Sequence, residues 1–309
     1  VAAVRPRIRL IYNPTAGKES FRQQLSDVLR ILEEAGLEAS THATKGPHDA
    51  TEEAVRAWQS GFAYVVACGG DGTVNEVING LARAPKERRP ILGILPAGTT
   101  NDLARALGLP FQIGDAARLI AQKRALPLDL GRIGEDRYFV NIAGCGRLTA
   151  ITYEVPSRMK TMLGQVAYVM KGLERLPGLR PISLNLRASS ANAADYEYHH
   201  KAMLCLITNS RSVAGFERIA PLASVRDGKL DVLIVKPTNL GDMIRLTTSA
   251  LRGEHVKDER IVYLHAERIE LASSEPVDVN VDGEFGGSLP TVVQVMPSHL
   301  SVLVGEEKE

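Results

Sequence analysis

The sequence predicts a parallel α/β domain followed by a β-rich domain, and three observations carry that prediction. A chain of 309 residues suits about two domains, at roughly 100–200 residues each. Residues 7–109 alternate apolar, strand-like runs with stretches of helical periodicity, the pattern of a mainly parallel sheet covered by helices. Beyond about Leu130 the periodicity changes to two. Leu184/Leu186, Leu230/Val232/Ile234, Ile261/Tyr263, Ile269/Leu271, Val277/Val279/Val281 and Val293/Val295 alternate with polar partners between turn residues. The expected domains are 1–130 and 131–309, with the last strand free to return to the first domain.

The elements follow in order. Arg7 to Tyr12 is a short apolar strand, and Leu25, Val28, Leu29, Leu32 and Ala35 recur at helical spacing until Gly36. Leu37 to Thr41 forms a second strand. A helix opens near Pro47-His48-Asp49, with Asp49 as its expected cap, and ends at Gly61. Phe62 to Cys68 is a buried strand; Val74, Val77, Ile78 and Leu81 mark the next helix; Ile91 to Leu95 is a strand that leads into a helix through Leu107. In the second half one helix is expected around Lys160 to Leu176, ended by Pro177-Gly178, and Ala188 to Ala194 reads as a hairpin tip.

Composition narrows the function. With 37 Lys+Arg against 36 Asp+Glu and 5% aromatic residues, the chain offers neither a general basic field for phosphate backbones nor many stacking platforms, so nucleic acid is not the expected partner. Cys68, Cys145 and Cys205 are far apart and show no zinc spacing, which suits a reducing, cytoplasmic setting. The longest apolar run, Phe62 to Cys68, is far short of the ~18 residues of a membrane span. The seven histidines show no ligand spacing and are assigned no chemistry.

Four loops fall where strands feed helix N-termini, the edge at which open α/β sheets gather anionic ligands. They are Asn13-Pro14-Thr15-Ala16-Gly17-Lys18, Thr44-Lys45-Gly46-Pro47, Gly69-Gly70-Asp71-Gly72-Thr73 and Pro96 to Asn101. Small and hydroxyl side chains let backbone amides approach a polyphosphate. A carboxylate in such a cradle repels phosphate unless a divalent cation lies between them, so Asp71 and Asp102 suggest Mg²⁺, although Asp102 also suits a helix cap. Neither GxxxxGK[ST] nor a GxGxxG following a strand occurs, which argues against P-loop and dinucleotide-dehydrogenase chemistry.

Gly69-Gly70-Asp71-Gly72-Thr73 with Asn75-Glu76, Pro96-Ala97-Gly98-Thr99-Thr100-Asn101-Asp102 and Asp282-Gly283-Glu284 together resemble the diacylglycerol kinase catalytic family over nearly the whole chain. The first motif alone has relatives in NAD kinases and phosphofructokinases; the combination is specific to the lipid kinases. Ser40 to Thr44, Val155 to Gly164 and Ala250 to His255 look most like its soluble Gram-positive branch.

The resemblance implies a Rossmann-like nucleotide domain of NAD kinase/diacylglycerol kinase type, a C-terminal β-sandwich and an active site in the cleft between them. It implies ATP-dependent phosphorylation of the primary hydroxyl of diacylglycerol to phosphatidic acid, feeding phospholipid synthesis. Carried over by position, Asn13, Pro14, Thr15, Ala16, Gly17, Thr44, Gly69, Gly70, Asp71, Gly72, Thr73, Val74, Asn75 and Thr99 would hold the nucleotide, with Asp71 and Asp102 near its phosphates. The Asp227 carboxylate and the backbone carbonyls of Ser224 and Lys229 would hold Mg²⁺; by local sequence Asp227-Gly228 reads as a hairpin turn. The general base falls in the pair Asp282 and Glu284, on a tight turn where Gly283 allows positive φ. Glu284 is the expected acceptor and Asp282 its support, though the residues alone do not decide between them.

A kinase acting on diacylglycerol must meet an anionic bilayer, peripherally, at the inner face of the membrane. Between Arg147 and Arg180 six basic residues face two acidic ones, with Met159, Met162, Leu163 and Val166 interspersed, as in an interfacial helix. A solvated helix with a buried Met/Leu stripe fits the same pattern. The residues do not set the oligomeric state; a homodimer is expected. The rival readings are a kinase of this fold acting on phosphatidylglycerol, a sphingoid base or NAD, and a non-catalytic nucleotide-binding regulator. The regulator should have lost Asp71, Asp102, Asp282 or Glu284, and all four are present.

Overall fold

The structure, a computed structural model, describes residues 5–15, 20–146, 180–213 and 216–305. The chain forms two compact units, one running to Asp129 and resuming at Ser298, the other spanning Leu130–Pro297. The expected helix at 160–176 lies outside the described residues.

In the first unit β1 (Arg7–Tyr12), β2 (Glu38–Ala43), β3 (Tyr64–Gly69) and β4 (Ile91–Pro96) form a parallel sheet in the order β2-β1-β3-β4. β3 and β4 are buried over almost their whole length, which is why they read as unbroken apolar runs. α1 (Ser20–Glu34) and α5 (Ile113–Ala121) share a core with the sheet: Val28 and Leu32 of one and Ile113, Ala117 and Ile120 of the other pack with Leu10, Val66 and Leu95. α2 (Asp49–Gln59) and α3 (Asp71–Ala82) approach closely at Gly80, where an added Cβ would stand 2.5 Å from the Thr51 carbonyl oxygen. α4 (Asp102–Ala106) is a single short turn after β4.

In the second unit the described strands form two antiparallel layers. β12 (Ile261–Ala266), β11 (Leu230–Val235), β10 (Leu204–Thr208), β7 (Ile142–Cys145), β14 (Asp278–Val281) and β15 (Glu284–Ser288) make one sheet in that order. β13 (Arg268–Ala272) lies between β8 (Ile182–Ser190) and β16 (Thr291–Leu303), and β9 (Ala193–Ala202) flanks β8. Leu184, Leu186, Ile269 and Val293 pack with Ile207, Val232, Val279 and Val281 in one core, and the unit is a β-sandwich. β5 (Ala125–Ile133) pairs with β6 (Arg137–Phe139). β5 and β16 both run from one unit into the other, and within the first unit Val302 of β16 pairs in parallel with Leu92. The three cysteines are buried and free.

Among the described residues the expected elements are present with ends shifted by a few residues. One helix departs from the period-two expectation for the second half, α6 (Leu240–Ala250). Asn239 Oδ1 caps it by accepting the Asp242 N–H at 2.9 Å, and Met243, Leu246 and Ala250 bury one face. Gly241 and the β-branched Thr247 and Thr248 weaken its helical signal in the sequence.

Candidate active site

All four strands of the first sheet are parallel, so their carboxyl ends share one edge. Asn13 and Pro14 follow β1, Thr44 follows β2, Gly70 follows β3, and Gly98 to Asn101 follow β4. Asn13 Oδ1 accepts both the N–H (2.9 Å) and the hydroxyl (2.8 Å) of Thr15, which folds the first loop into an Asx turn. Ala16 and Gly17 lie outside the described residues. Gly69 ends β3; Asp71, Gly72, Thr73, Val74 and Asn75 form the first turns of α3, with Val74 and Asn75 buried. Thr99 is exposed at the same edge.

The Gly70 and Gly98 loops meet backbone to backbone: a Cβ on Gly98 would stand 2.3 Å from the Gly70 Cα. Asp71 locks that meeting. Its Oδ2 accepts the Asn101 N–H at 2.9 Å and its Oδ1 the Asp102 N–H at 2.6 Å. Asp71 thus caps α4, and the carboxylate of Asp102, itself buried, is the first helical residue rather than the cap. Both acids stand beside the loops that would carry phosphate.

Glu76 makes the matching connection on the other side. Its carboxylate accepts the N–H groups of His48 and Ala50, each at 3.1 Å, so it caps α2 and ties the Thr44–His48 loop to α3. Asp49, the expected cap, instead accepts the Lys45 N–H at 2.8 Å and pairs with His42 at 3.1 Å. Desolvation, the largest single influence, pushes its carboxyl up, but these contacts and the Arg56 charge together hold it below the usual range. Glu76 belongs to the quoted motif, yet sequence reasoning gave it no role, because its partners lie 26 and 28 residues upstream.

In the second unit Asp282 and Glu284 sit on the turn between β14 and β15, with φ at 47° for Asp282 and 94° for Gly283. Asp282 is gripped by backbone: Oδ2 accepts the Val140 N–H at 3.0 Å, and Oδ1 accepts those of Asn141 (3.1 Å) and Ile142 (2.8 Å). Asn280 Oδ1 accepts the Gly283 N–H at 2.9 Å. Glu284 is half exposed and pairs with Arg137 at 3.0 Å. The two acids are therefore unequal, one committed to the fold and one open to solvent.

Ser224, Asp227 and Lys229 lie in the loop before β11. Asp227 Oδ1 accepts the Lys229 N–H at 3.1 Å, and Ser224 Oγ the Arg226 N–H at 3.3 Å. One carboxylate with carbonyl oxygens is a hard, all-oxygen donor set, which suits Mg²⁺ completed by water. Among the described residues no group of three or more His, Cys, Asp or Glu side chains converges as a metal cage. Behind this loop Asp231 is buried and accepts a short hydrogen bond from the Tyr263 hydroxyl; burial pushes its carboxyl up and the tyrosine hydroxyl up as well. A cavity of about 260 Å³ beside Trp58, Phe62 and Arg88 opens at the amino ends of β3 and β4, the edge opposite the glycine-rich loops.

The model of the diacylglycerol kinase catalytic domain matches residues 7–133, and that of the YegS C-terminal NAD kinase beta sandwich-like domain matches residues 145–304. The chain is 47% identical over 303 residues to a diacylglycerol kinase of Bacillus subtilis (strain 168), covering 98% of this chain and 97% of that protein. It belongs to the diacylglycerol kinase family. It is 42% identical over 299 residues to a diacylglycerol kinase of Staphylococcus saprophyticus, covering 97% of this chain and 95% of that protein. The crystal structure of a diacylglycerol kinase from Bacillus anthracis superposes with a TM-score of 0.79 at 26% identity, covering 97% of each chain. The chain is an enzyme, a kinase built from the family's parallel α/β catalytic domain and β-sandwich.

Proposed function

We propose that this kinase transfers the γ-phosphoryl group of ATP to the free primary hydroxyl of diacylglycerol, giving phosphatidic acid and ADP. The observation that carries the reading is the 47% identity over 98% of the chain to the Bacillus subtilis diacylglycerol kinase. The chemistry of the loops supports it. Asn13, Pro14, Thr15, Ala16, Gly17, Thr44, Gly69 to Thr73, Val74, Asn75 and Thr99 hold the nucleotide; Asp71 and Asp102 order the phosphate-side loops.

In the transfer the hydroxyl oxygen forms a bond to the γ-phosphorus, the bond from that phosphorus to the β–γ bridging oxygen breaks, and the hydroxyl proton passes to a carboxylate. Glu284 is the acceptor, because Asp282 spends its oxygens on three N–H groups while Glu284 is half exposed. Base catalysis of this kind contributes roughly 10²–10⁴-fold; alignment and charge stabilisation supply much of the rest. Asp227 with the carbonyls of Ser224 and Lys229 would hold Mg²⁺, which when bound supplies positive charge to the site.

The acceptor lives in a bilayer, and no helix among the described residues is long and apolar enough to cross one. Its proposed place of work is peripheral, on the inner face of the membrane, where the proposed acceptor is met. Its proposed contact is the basic and apolar segment from Arg147, which apart from Arg180 lies outside the described residues, and its proposed assembly is a homodimer. The test is transfer of labelled γ-phosphate to diacylglycerol, phosphatidylglycerol, a sphingoid base and NAD in parallel. Label in phosphatidic acid alone supports the reading; label in another acceptor replaces it.

A further inference from the structure

One short segment, Arg137 to Ile142, holds both acids of the Asp282–Glu284 turn, and it holds them by different means. Its backbone N–H groups at Val140, Asn141 and Ile142 bind Asp282, a fixed attachment that any side chains at those positions would preserve. Its one contact with Glu284 is a side chain. Arg137 Nη2 donates to Glu284 Oε2 at 3.0 Å, while Nη1 donates a short hydrogen bond to the Phe285 carbonyl oxygen. The partners are 147 and 148 residues away in the chain. A guanidinium is planar, with donors in a fixed fork, so two anchor points fix its orientation and hence that of the carboxylate it carries. Glu284 Oε1 has no protein partner among the described residues.

We propose that Arg137 is the positioning residue of Glu284, tying down Oε2 so that Oε1 is left as the proton acceptor. The inference rests on the reading of Glu284 as general base. Arg137 side-chain exposure is 32% and that of Glu284 is 52%. A pair this exposed adds little to stability, so removing it should leave the fold intact and show its effect in catalysis. A general base displaced by about 1 Å can lose on the order of 10²-fold in rate, which gives the size of effect to look for.

The experiment measures kcat and KM for intact chain, R137Q, R137K, E284Q and the double variant R137Q/E284Q, using whichever member of the acceptor panel takes the label. R137Q should lower kcat about 10- to 100-fold, with KM for ATP and acceptor within about 2-fold and an unchanged thermal midpoint. R137K, which restores the charge but not the fork, should fall between R137Q and the intact chain. In the E284Q background R137Q should cost nothing further, because there is no base left to position. A kcat for R137Q within about 2-fold of the intact chain, or losses that multiply in the double variant, would overturn the proposal. Label in an acceptor other than diacylglycerol defeats the acceptor reading alone, and the Arg137 comparison stands on that acceptor. A fully active E284Q defeats the general-base reading and the Arg137 proposal while leaving the acceptor reading standing; a chain that labels nothing defeats all three.

Discussion

Asp71 accepts the backbone N–H of Asp102 at 2.6 Å, and that of Asn101 at 2.9 Å through its other oxygen. The first residue of the helix after one strand thereby fixes the loop after the next, and the helix cap comes from 30 residues away rather than from the adjacent sequence. Replacing it removes charge-assisted hydrogen bonds as well as any contribution to phosphate chemistry. D71A should lose about 1–2 kcal/mol of stability, read by urea denaturation, together with transferase activity. D71N, which keeps one oxygen acceptor, should recover part of the stability and little of the activity.

The backbone meeting of Gly70 and Gly98 leaves no room for a methyl group. G98A must push the two loops apart, because the clashing atom is Gly70 Cα rather than the end of a flexible side chain. The expected result is lost ATP binding, measured by calorimetry or with a fluorescent analogue, while the β-sandwich unit keeps its hydrogen-exchange protection.

How far these features were legible beforehand depended on whether their causes were local. The alternation of β1, α1, β3, α3 and β4 could be read because each strand is an apolar run and each helix carries its own period. The expected fold class and family are borne out. The Gly283 turn was legible because positive φ is a local demand. Glu76 and Arg137 were not, since each acts on atoms that only the folded chain brings near. Asp49 looked like a cap by position, but His48 adopts a left-handed backbone and Glu76 provides the cap. The helix Leu240–Ala250 was hidden for a local reason: Gly241 and the β-branched Thr247 and Thr248 dilute its helical signal.

Asp282 and Glu284 should separate in their effects on stability. D282N places an amide N–H₂ against at least one of the three backbone N–H donors, and should cost about 1–3 kcal/mol. E284Q alters a half-exposed side chain and should stay within about 0.5 kcal/mol of the intact chain. Urea denaturation of the two variants side by side checks both values.

His255 makes stability pH-dependent. Its Nε2 lies 2.8 Å from the Ile219 carbonyl and its Nδ1 is buried without a hydrogen-bond partner, so charging the ring would bury an unsatisfied N–H. Burial accordingly depresses its pKa, outweighing the favourable Ile219 contact. The unfolded chain takes up a proton below about pH 6.5 where the folded chain resists, so this contribution is present at neutral pH and is lost on acidification below that value. Midpoints measured by chemical denaturation from pH 7.5 to 5 should fall, and H255Q should flatten that slope.

In the proposed reaction Glu284 takes the proton of a diacylglycerol hydroxyl as ATP gives up its γ-phosphoryl group. The most direct measurement is the rate of phosphatidic acid formation from labelled ATP in mixed micelles, for the intact chain and for E284Q. The intact chain should give labelled phosphatidic acid, and E284Q should show a kcat at least about 100-fold lower, with ATP binding retained. An E284Q variant that turns over as fast as the intact chain, or an intact chain that binds ATP and labels no diacylglycerol, would contradict it.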